Sequence, residues 1–314
     1  MAPSTVTFGL LAIFASRALA SCAYGTHLHP RAEAGEFEAP KFGYIGPLGP
    51  TNWQGLDAAN VLCATGSNQS PIDMVSSSFT VVPGSELGIT IPDLEAGAEF
   101  ENLGTNVEVI AEGGSITVGD VDYTLQQFHF HLPSEHLDNG TSMAMEMHMV
   151  WQSEDEQIAV IGVYIDLDDG AAAAKTKSKT KSRKSRSIAA REAKSLNNSK
   201  SSSIKAATSS TLLETVLGSV DQIPTPGDVV TTEPLVMSEL VKTLAAGSFQ
   251  SYSGSLTTPP CSEGVHWFVS TQSLSIKTST FLKARSVLGF NSRFPQNAPG
   301  ESNIISLASA AMDD

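Results

Sequence analysis

The stretch that decides the fold lies between residues 121 and 151, where VDYTLQQFHFH (121–131) is followed by a short connection and then by MAMEMHMVW (143–151). Both segments alternate between two classes of side chain, which is the period-two pattern of a β-strand. The predicted faces are Val121, Tyr123, Leu125, Gln127, His129 and His131 against Phe128, Phe130 and Leu132, and then Ala144, Glu146, His148 and Val150 against Met143, Met145, Met147 and Met149. We therefore expect two neighbouring strands of one sheet.

The segments around this pair also have strand character. Residues 158–165 form a continuous apolar run, which is typical of a strand buried on both faces. Other short strand-like segments are separated by Gly, Pro, Asn and Asp, and helical patterns are confined to 214–220, 238–244 and 279–288. The chain therefore predicts a mostly β domain (α+β) built around a large sheet.

The composition is acidic, but the charge is unevenly distributed. The chain of 314 residues has 19 Lys and Arg against 33 Asp and Glu, a formal net charge of −14. A negative surface repels both nucleic acid and anionic membranes, so neither is expected as a partner. Residues 171–210 are the exception, with eleven Lys and Arg, eleven Ser and a single acid, Glu192. This Lys/Ser-rich insert lacks the apolar surface needed to fold, and we predict a disordered basic loop.

The amino terminus predicts export. Residues 8–15 (FGLLAIFA) are apolar but too short to cross a bilayer, and Ala18-Leu-Ala20 fits the small-x-small pattern that signal peptidase cuts. We predict a signal peptide over 1–20, a flexible leader over 21–39 and a secreted, extracellular protein without a membrane partner. The alternative, a buried amino-terminal helix, is disfavoured because nothing amphipathic or capped follows.

Secretion makes disulfides permissible, and the mature chain keeps three cysteines. Cys22 lies in the leader beside His27 and His29, so we predict a Cys63–Cys261 disulfide. The odd cysteine stays unpaired or forms an intermolecular bond, which leaves a disulfide-linked dimer through Cys22 open.

Three Asn-x-Ser/Thr sequons, at Asn68, Asn139 and Asn197, fit an exported glycoprotein. The sequence does not decide which of them carries a glycan. Asn68 is the poorest acceptor, because Pro71 directly follows its Ser70.

Three histidines on the paired strands predict a metal site. A bare His-x-His pair such as His129 and His131 is more often structural or accidental than metal-binding. His148 on the next strand changes this interpretation, because a short connection can bring it opposite the pair. Three imidazoles leave the fourth tetrahedral position of Zn²⁺ open, which is typical of a catalytic zinc site. Gln127 and Glu146 lie two residues from these ligands on the same face, where partners for the imidazole N–H groups are expected.

The blocks around these residues resemble the signatures of the α-class carbonic anhydrases. They are QFHFH (127–131), SEH (134–136), EMH (146–148) and GSLTTPPC (254–261), together with FGY (42–44), NW (52–53), QSPID (69–73), VHW (265–267) and NSR (291–293). The resemblance covers residues 40–300 apart from the insert. It implies a single domain over 40–314 with a large central mixed, mainly antiparallel twisted sheet and short peripheral helices.

The resemblance also implies an activity. We expect a secreted zinc lyase that reversibly hydrates CO₂ to bicarbonate and a proton by attack of zinc-bound hydroxide. The three histidines would bind the zinc, while Thr257 would accept a hydrogen bond from the hydroxide and donate its own to Glu135. Cys63 and Cys261 match a disulfide of secreted members. The residues that the resemblance places around the substrate are Val150, Val160, Leu256, Thr258, Val265 and Trp267.

One departure concerns proton transfer. Many fast members have a proton-shuttling histidine in the stretch that corresponds to residues 101–107, which here reads ENLGTNV. Without a shuttle, proton release to bulk water limits turnover to roughly 10³ s⁻¹, against the roughly 10⁶ s⁻¹ known for carbonic anhydrase with one. We therefore expect either a strong dependence on buffer or a substitute shuttle. The alternative function is a non-catalytic carbonic-anhydrase-like module for binding or adhesion, but such modules typically lack a zinc ligand.

Overall fold

The structure is a computed structural model that describes residues 26, 37, 39–168 and 209–313. The predicted signal peptide, Cys22, Asn197 and residues 171–208 of the basic insert lie outside the described residues. The strands are β1 (Asp73–Met74), β2 (Thr80–Pro83), β3 (Glu99–Asn102), β4 (Val107–Ile110), β5 (Ser115–Val118), β6 (Val121–His131), β7 (Leu137–Asp138), β8 (Met145–Ser153), β9 (Ile158–Asp168), β10 (Val229–Thr231), β11 (Ser248–Ser255), β12 (Glu263–Ser270) and β13 (Leu274–Lys277). The helices are α1 (Trp53–Leu56), α2 (Leu62–Thr65), α3 (Thr211–Gly218), α4 (Met237–Ala246), α5 (Thr278–Leu288) and α6 (Ile304–Asp313).

Most of the strands join one large sheet. Its order is β10-β3-β4-β6-β8-β9-β12-β11-β2, with β5 also paired to β6 and β13 to β9. Strand β9 runs parallel to β12 and β13, and the other neighbours are antiparallel. Strands β1 and β7 form a separate parallel pair. The predicted fold class, a mixed and mainly antiparallel twisted sheet with short helices, is confirmed.

The larger hydrophobic core lies between one face of this sheet and helices α3, α4 and α5. Phe128 and Phe130 of β6 pack there with Leu213 of α3. The apolar residues of α3 face the sheet, and Ser210 caps the helix because its Oγ accepts a hydrogen bond from the Leu213 N–H at 3.5 Å. The opposite face carries a smaller apolar cluster, and strand β9 contributes to both, for example with Ile161 to the larger. Burial of 158–165 on both faces is therefore confirmed.

A bulge in β6 corrects the predicted pattern of faces. Tyr123 and Leu125 pack in the same core as Phe128, not on the histidine face. The ladder between β6 and β8 shifts register between Leu125 and Gln127, so that Gln126 is an extra residue. An extra residue reverses the alternation beyond it, because the side-chain period of a strand is two. Val121 is also on the core side, and Met143 packs against the smaller cluster instead of with the other three methionines.

Two connections close long segments of the chain. Cys63 and Cys261 form a disulfide across a sequence separation of 198 residues, as predicted. The residues that flank the undescribed segment 169–208 also meet, since the Ser209 hydroxyl donates to Asp168 Oδ2 at 2.9 Å.

None of the helices in the described part has the length and apolar character that a membrane span needs.

Candidate metal centre

Three buried histidines converge on the face of the sheet opposite the larger core. Strand β6 carries His129 and His131, and β8 places His148 directly across from His129. All three are fully buried, and one ring nitrogen from each lies within 4.8 Å of the other two. His129 Nε2, His131 Nε2 and His148 Nδ1 have no hydrogen-bond partner among the described residues. Buried polar atoms are rarely left in this state, and three converging nitrogens are the donor set that a metal ion requires.

An oxygen acceptor fixes the other nitrogen of each ring. Because an oxygen acceptor needs the proton on the nitrogen that faces it, each neutral ring keeps its lone pair on the nitrogen without a partner. These contacts also fix the orientation of each imidazole. The pairs are His129 Nδ1 to Gln127 Oε1 at 2.7 Å, His131 Nδ1 to the backbone oxygen of Asn291 at 2.8 Å, and His148 Nε2 to Glu146 Oε1 at 2.9 Å.

Burial keeps the three imidazoles neutral. It lowers the pKa of His129 well below its ordinary value, and the neighbouring His131 and His148 act in the same direction. Burial likewise lowers the pKa of His131 to about 3 and lowers the pKa of His148. A neutral imidazole is the form that ligates a metal, so the three rings are in the ligating state at neutral pH.

Glu146 accepts four hydrogen bonds behind the histidines. Its Oε1 accepts from His136 Nδ1 at 2.7 Å and from His148 Nε2 at 2.9 Å, while its Oε2 accepts the backbone N–H groups of Glu135 and His136 at 2.9 and 2.8 Å. Burial raises the pKa of Glu146, but its interactions with His136 and His148 outweigh burial and hold the pKa well below its ordinary value. His136, Glu146 and His148 are close enough to hold a metal as well, yet their facing atoms already share hydrogen bonds. Gly162 of β9 allows this packing, because a Cβ there would lie 2.9 Å from Glu146 Oε1.

Glu135 and Thr257 lie beside the histidine cluster. Glu135 Oε2 is 3.5 Å from His131 Nε2 and 3.9 Å from His148 Nδ1. Its Oε1 accepts the backbone N–H of Arg293 at 2.8 Å, and the Thr257 side chain is hydrogen-bonded to the carboxyl group. Burial raises the pKa of Glu135 well above its ordinary value, and these two hydrogen bonds act in the opposite direction. A cation held by the histidines would favour the carboxylate further.

An apolar wall borders the same site. Trp267 lies against His148, with ring centroids 4.8 Å apart, and its Nε1 donates to the backbone oxygen of Ser255 at 2.9 Å. Thr258 is fully buried next to Thr257. The structure thus brings the residues that the resemblance placed around the substrate to one side of the histidines. Those in the smaller apolar cluster are Val150, Val160, Leu256, Val265 and Trp267.

Two residues late in the chain complete the site, although the sequence analysis gave them no role. The backbone oxygen of Asn291 holds His131. The backbone of Arg293 holds Glu135, and its guanidinium donates to the Ser70 backbone oxygen at 2.7 Å and to Gln69 Oε1 at 2.9 Å. The only signal in the sequence was the NSR block at 291–293, which matched without indicating what the residues do.

The histidine-free stretch 101–107 spans the end of β3, the turn at 103–106 and the first residue of β4. Gly104 has a φ of 80° there, a conformation that glycine adopts without strain. The next residue, Glu108, is fully buried and pairs with His129 across the β4–β6 ladder. Glu108 is therefore a further carboxyl group on the face of the sheet that carries the three histidines, here called the metal face. The sequence analysis did not single it out.

The chain is similar to proteins of one known family. The family model for eukaryotic-type carbonic anhydrase matches residues 48–300. The chain is similar to a carbonic anhydrase of Neisseria gonorrhoeae, with 30% identity over 260 residues that cover 82% of this chain and 79% of the relative. It is also similar to alpha carbonic anhydrase 6 of Arabidopsis thaliana, with 31% identity over 221 residues that cover 70% and 68% of the two chains.

A solved structure is similar as well. The fungal alpha carbonic anhydrase from Aspergillus oryzae matches with a TM-score of 0.72 and 33% identity, over 86% of this chain and 98% of that chain. The family model spans most of the chain, and both sequence relatives are covered over more than two thirds of their length. The chain therefore belongs to the α-class carbonic anhydrases, a family of lyases that hydrate CO₂.

Proposed function

We propose that this chain is a secreted, zinc-dependent carbonic anhydrase that reversibly hydrates CO₂ to bicarbonate and a proton. The observation that carries the proposal is the convergence of three buried imidazole nitrogens without hydrogen-bond partners, each in a ring whose far nitrogen is held by an oxygen. His129, His131 and His148 offer neutral nitrogen ligands and no thiolate. Three such ligands suit zinc and leave a coordination position for water or substrate. When bound there, zinc supplies a Lewis acid that generates a nucleophile from water near neutral pH.

The role of Thr257 and Glu135 is to orient that nucleophile. With its own proton donated to Glu135, the Thr257 hydroxyl keeps an acceptor role toward the nucleophilic oxygen. Glu135 is itself held by the Arg293 N–H at 2.8 Å, so it remains the acceptor and the Thr257 hydroxyl remains the donor between them. Thr257 would therefore orient a lone pair of the nucleophile toward the substrate, which lowers the entropic part of the barrier.

The apolar wall suits CO₂, which has no charge to bind. Val150, Val160 and Trp267 exclude water from the side of the histidines where the substrate would rest. CO₂ gains by leaving water for such a surface, and bicarbonate does not. The wall therefore favours release of the charged product, with Thr258 as a polar neighbour on the bicarbonate side.

Zinc content and CO₂ hydration together test the proposal. The wild type is expected to hold an equivalent of zinc by mass spectrometry and to hydrate CO₂. His131→Ala is expected to lose both, while His266→Ala, an exposed histidine on β12, is expected to retain both. A wild type that is zinc-free and inactive would contradict the proposal and support the non-catalytic binding module, which the comparisons do not favour.

Proton release is expected to limit the rate. No histidine lies in 101–107, so the proton must leave through buffer or through a substitute group. Stopped-flow hydration is therefore expected to accelerate as the imidazole concentration rises. A high rate that does not respond to imidazole would show that a substitute shuttle operates.

Export and the fate of Cys22 need separate measurements. Protein recovered from culture medium is expected to begin at Ser21, because the predicted cut follows Ala20. Retention of the chain inside the cell would contradict export. Gel electrophoresis with and without reductant then decides whether Cys22 links two chains.

A further inference from the structure

The sequon at Asn139 occupies the tip of a tight turn. Backbone hydrogen bonds join Asp138 and Thr141 in both directions, at 2.9 and 3.0 Å, and leave Asn139 and Gly140 as the two turn residues. Their φ values are 48° and 77°, and positive φ at both positions is the type I′ geometry that Asn-Gly favours. Asn139 is exposed, and a Cβ at Gly140 would meet no atom within 4 Å. Asn139 is therefore accessible at the surface, with open space beside the turn.

The sequon at Asn68 has the opposite surroundings. Asn68 is half-buried, and its backbone N–H donates to Glu263 Oε1 at 2.7 Å. The next two residues, Gln69 and Ser70, are buried, and the Ser70 hydroxyl is hydrogen-bonded to Tyr252 at 2.8 Å. A glycan on Asn68 would have to emerge beside a segment that is packed against the interior. Of the two sequons that the structure describes, Asn139 is the better placed.

A polar groove opens beside Asn139. Its volume is about 580 Å³, within the range of about 300–1,000 Å³ that is usual for small-molecule sites. Nine of its twelve lining residues are Ser, Thr, Gln or Asp, none is basic, and Val81, Met143 and Tyr164 supply apolar surface. Sugars present hydroxyl groups that both donate and accept, together with apolar C–H faces. Hydroxyl and amide side chains beside the apolar surface of Val81 and Met143 match that chemistry, whereas an anion would meet no positive charge.

The side chain of Asn139 is attached to the rim of this groove. Its Nδ2 donates to Ser76 Oγ at 2.9 Å and to Asp138 Oδ1 at 2.7 Å, and its Oδ1 accepts the Ser76 N–H at 2.9 Å. Ser76 and Asp138 both line the groove. A substituent on Nδ2 therefore begins at the edge of the groove.

We infer that Asn139 carries an N-linked glycan and that the first sugars of this glycan lie in the groove. In the transfer, an Nδ2–H bond is replaced by a bond from Nδ2 to C1 of the sugar. The bond from C1 to the lipid diphosphate donor breaks, and the proton leaves with the diphosphate. The product keeps one Nδ2 hydrogen and Oδ1, so it gives up one of the hydrogen bonds to the rim. The inference rests on the proposed export, because the donor acts only in the secretory pathway.

Site occupancy tests the first part. The chain from Ser21 is expressed behind a host signal sequence in a eukaryotic cell, so that failure of its own signal peptide contradicts the proposed export alone. Peptide mass spectrometry of the secreted protein is expected to find the glycan at Asn139 and none at Asn68. Thr141→Ala removes the sequon without changing the asparagine, and it is expected to abolish the modification. An unmodified Asn139 in secreted, active protein would overturn the inference.

The rate of glycan removal tests the groove. An endoglycosidase that cuts between the first two sugars is applied to native protein. Gln250→Trp places a large ring in the groove and is expected to speed removal about tenfold, because the displaced sugars become accessible. Ser286→Trp on α5 outside the groove is the control, and Ser273→Trp replaces Gln250→Trp if the latter does not fold. Equal rates in the wild type and the groove variants would overturn the groove as the binding site.

Discussion

The two faces of strand β6 are maintained by different physics. On one face, Phe128 and Phe130 are buried in the larger core, where buried area and packing volume count. On the other face, Gln127, His129 and His131 are equally buried but polar. Each histidine has one ring nitrogen hydrogen-bonded to an oxygen, and its other ring nitrogen faces the proposed metal position. An unsatisfied buried polar group costs about 1–3 kcal/mol. Substitutions on the first face should therefore lower the free energy of unfolding, and substitutions on the second should weaken metal binding.

Deleting Gln126 should abolish the separation of the apolar and polar faces of β6, and it should have the largest effect on folding and zinc binding. Without the bulge residue, the alternation of β6 is continuous, and either Leu125 or His129 is turned to the wrong face. We expect no folded protein that binds zinc, as judged by circular dichroism and metal analysis. Gln126→Ala keeps the extra residue and is expected to stay within about 1 kcal/mol of the wild type. A folded, zinc-binding deletion variant would show that the bulge does not separate the faces.

Phe130→Ala should damage only the core face. Truncating a buried phenylalanine is expected to lower the free energy of unfolding by about 3–5 kcal/mol. Zinc content at low temperature should remain that of the wild type, unlike in His131→Ala. Urea unfolding with parallel metal analysis measures both quantities, and Phe130→Leu is the milder control. Loss of zinc from folded Phe130→Ala would mean that the faces are coupled.

Glu146→Gln should weaken metal binding and also lower stability, because two buried backbone N–H groups lose their acceptor. The amide offers a single acceptor oxygen where the carboxylate accepts four hydrogen bonds, two of them from backbone N–H groups. Loss of such a partner behind a ligand typically weakens metal binding about 10–100-fold. Competition with a zinc chelator measures the change. Glu112→Gln, at an exposed position, should have the affinity of the wild type.

Removing the insert should affect neither face. Asp168 and Ser209 are already hydrogen-bonded, so a short Gly/Ser link in place of residues 171–208 should leave zinc content and CO₂ hydration unchanged. Cutting this segment with a protease should give two fragments that separate on a gel only with reductant, because Cys63 and Cys261 lie on either side of it. A large loss of activity after excision would assign the segment a part in the site.

Local sequence patterns predicted much of the metal face. The strands, the spacing of the three histidines and the disulfide are as expected, and α5 begins one residue before the predicted range 279–288. The bulge has a signal in the sequence, since the apolar residues change from odd positions (Tyr123, Leu125) to even ones (Phe128, Phe130), but the prediction treated the strand as one continuous alternation. Within β6 the misplaced residues all lie before the bulge, from Val121 to Leu125.

Contacts between distant residues could not be predicted from local patterns. Asn291 meets His131 over 160 positions, and Arg293 meets Glu135 over 158. Such pairs depend on the order of strands in the sheet, which periodicity does not encode. The NSR block marked these residues, but only the structure shows that one holds a ligand ring and the other holds the orienting acid.

The strand order of the sheet affects how the chain can fold while it is being synthesised on the ribosome. Strands β3, β9 and β2 each pair with a strand from after the insert, namely β10, β12 with β13, and β11. Until residues 229–277 are synthesised, β9 is an apolar strand with one open edge, and such edges recruit other chains. A nascent or truncated chain that ends before β12 is therefore prone to aggregate, and the sheet becomes self-contained only when β13 has been made.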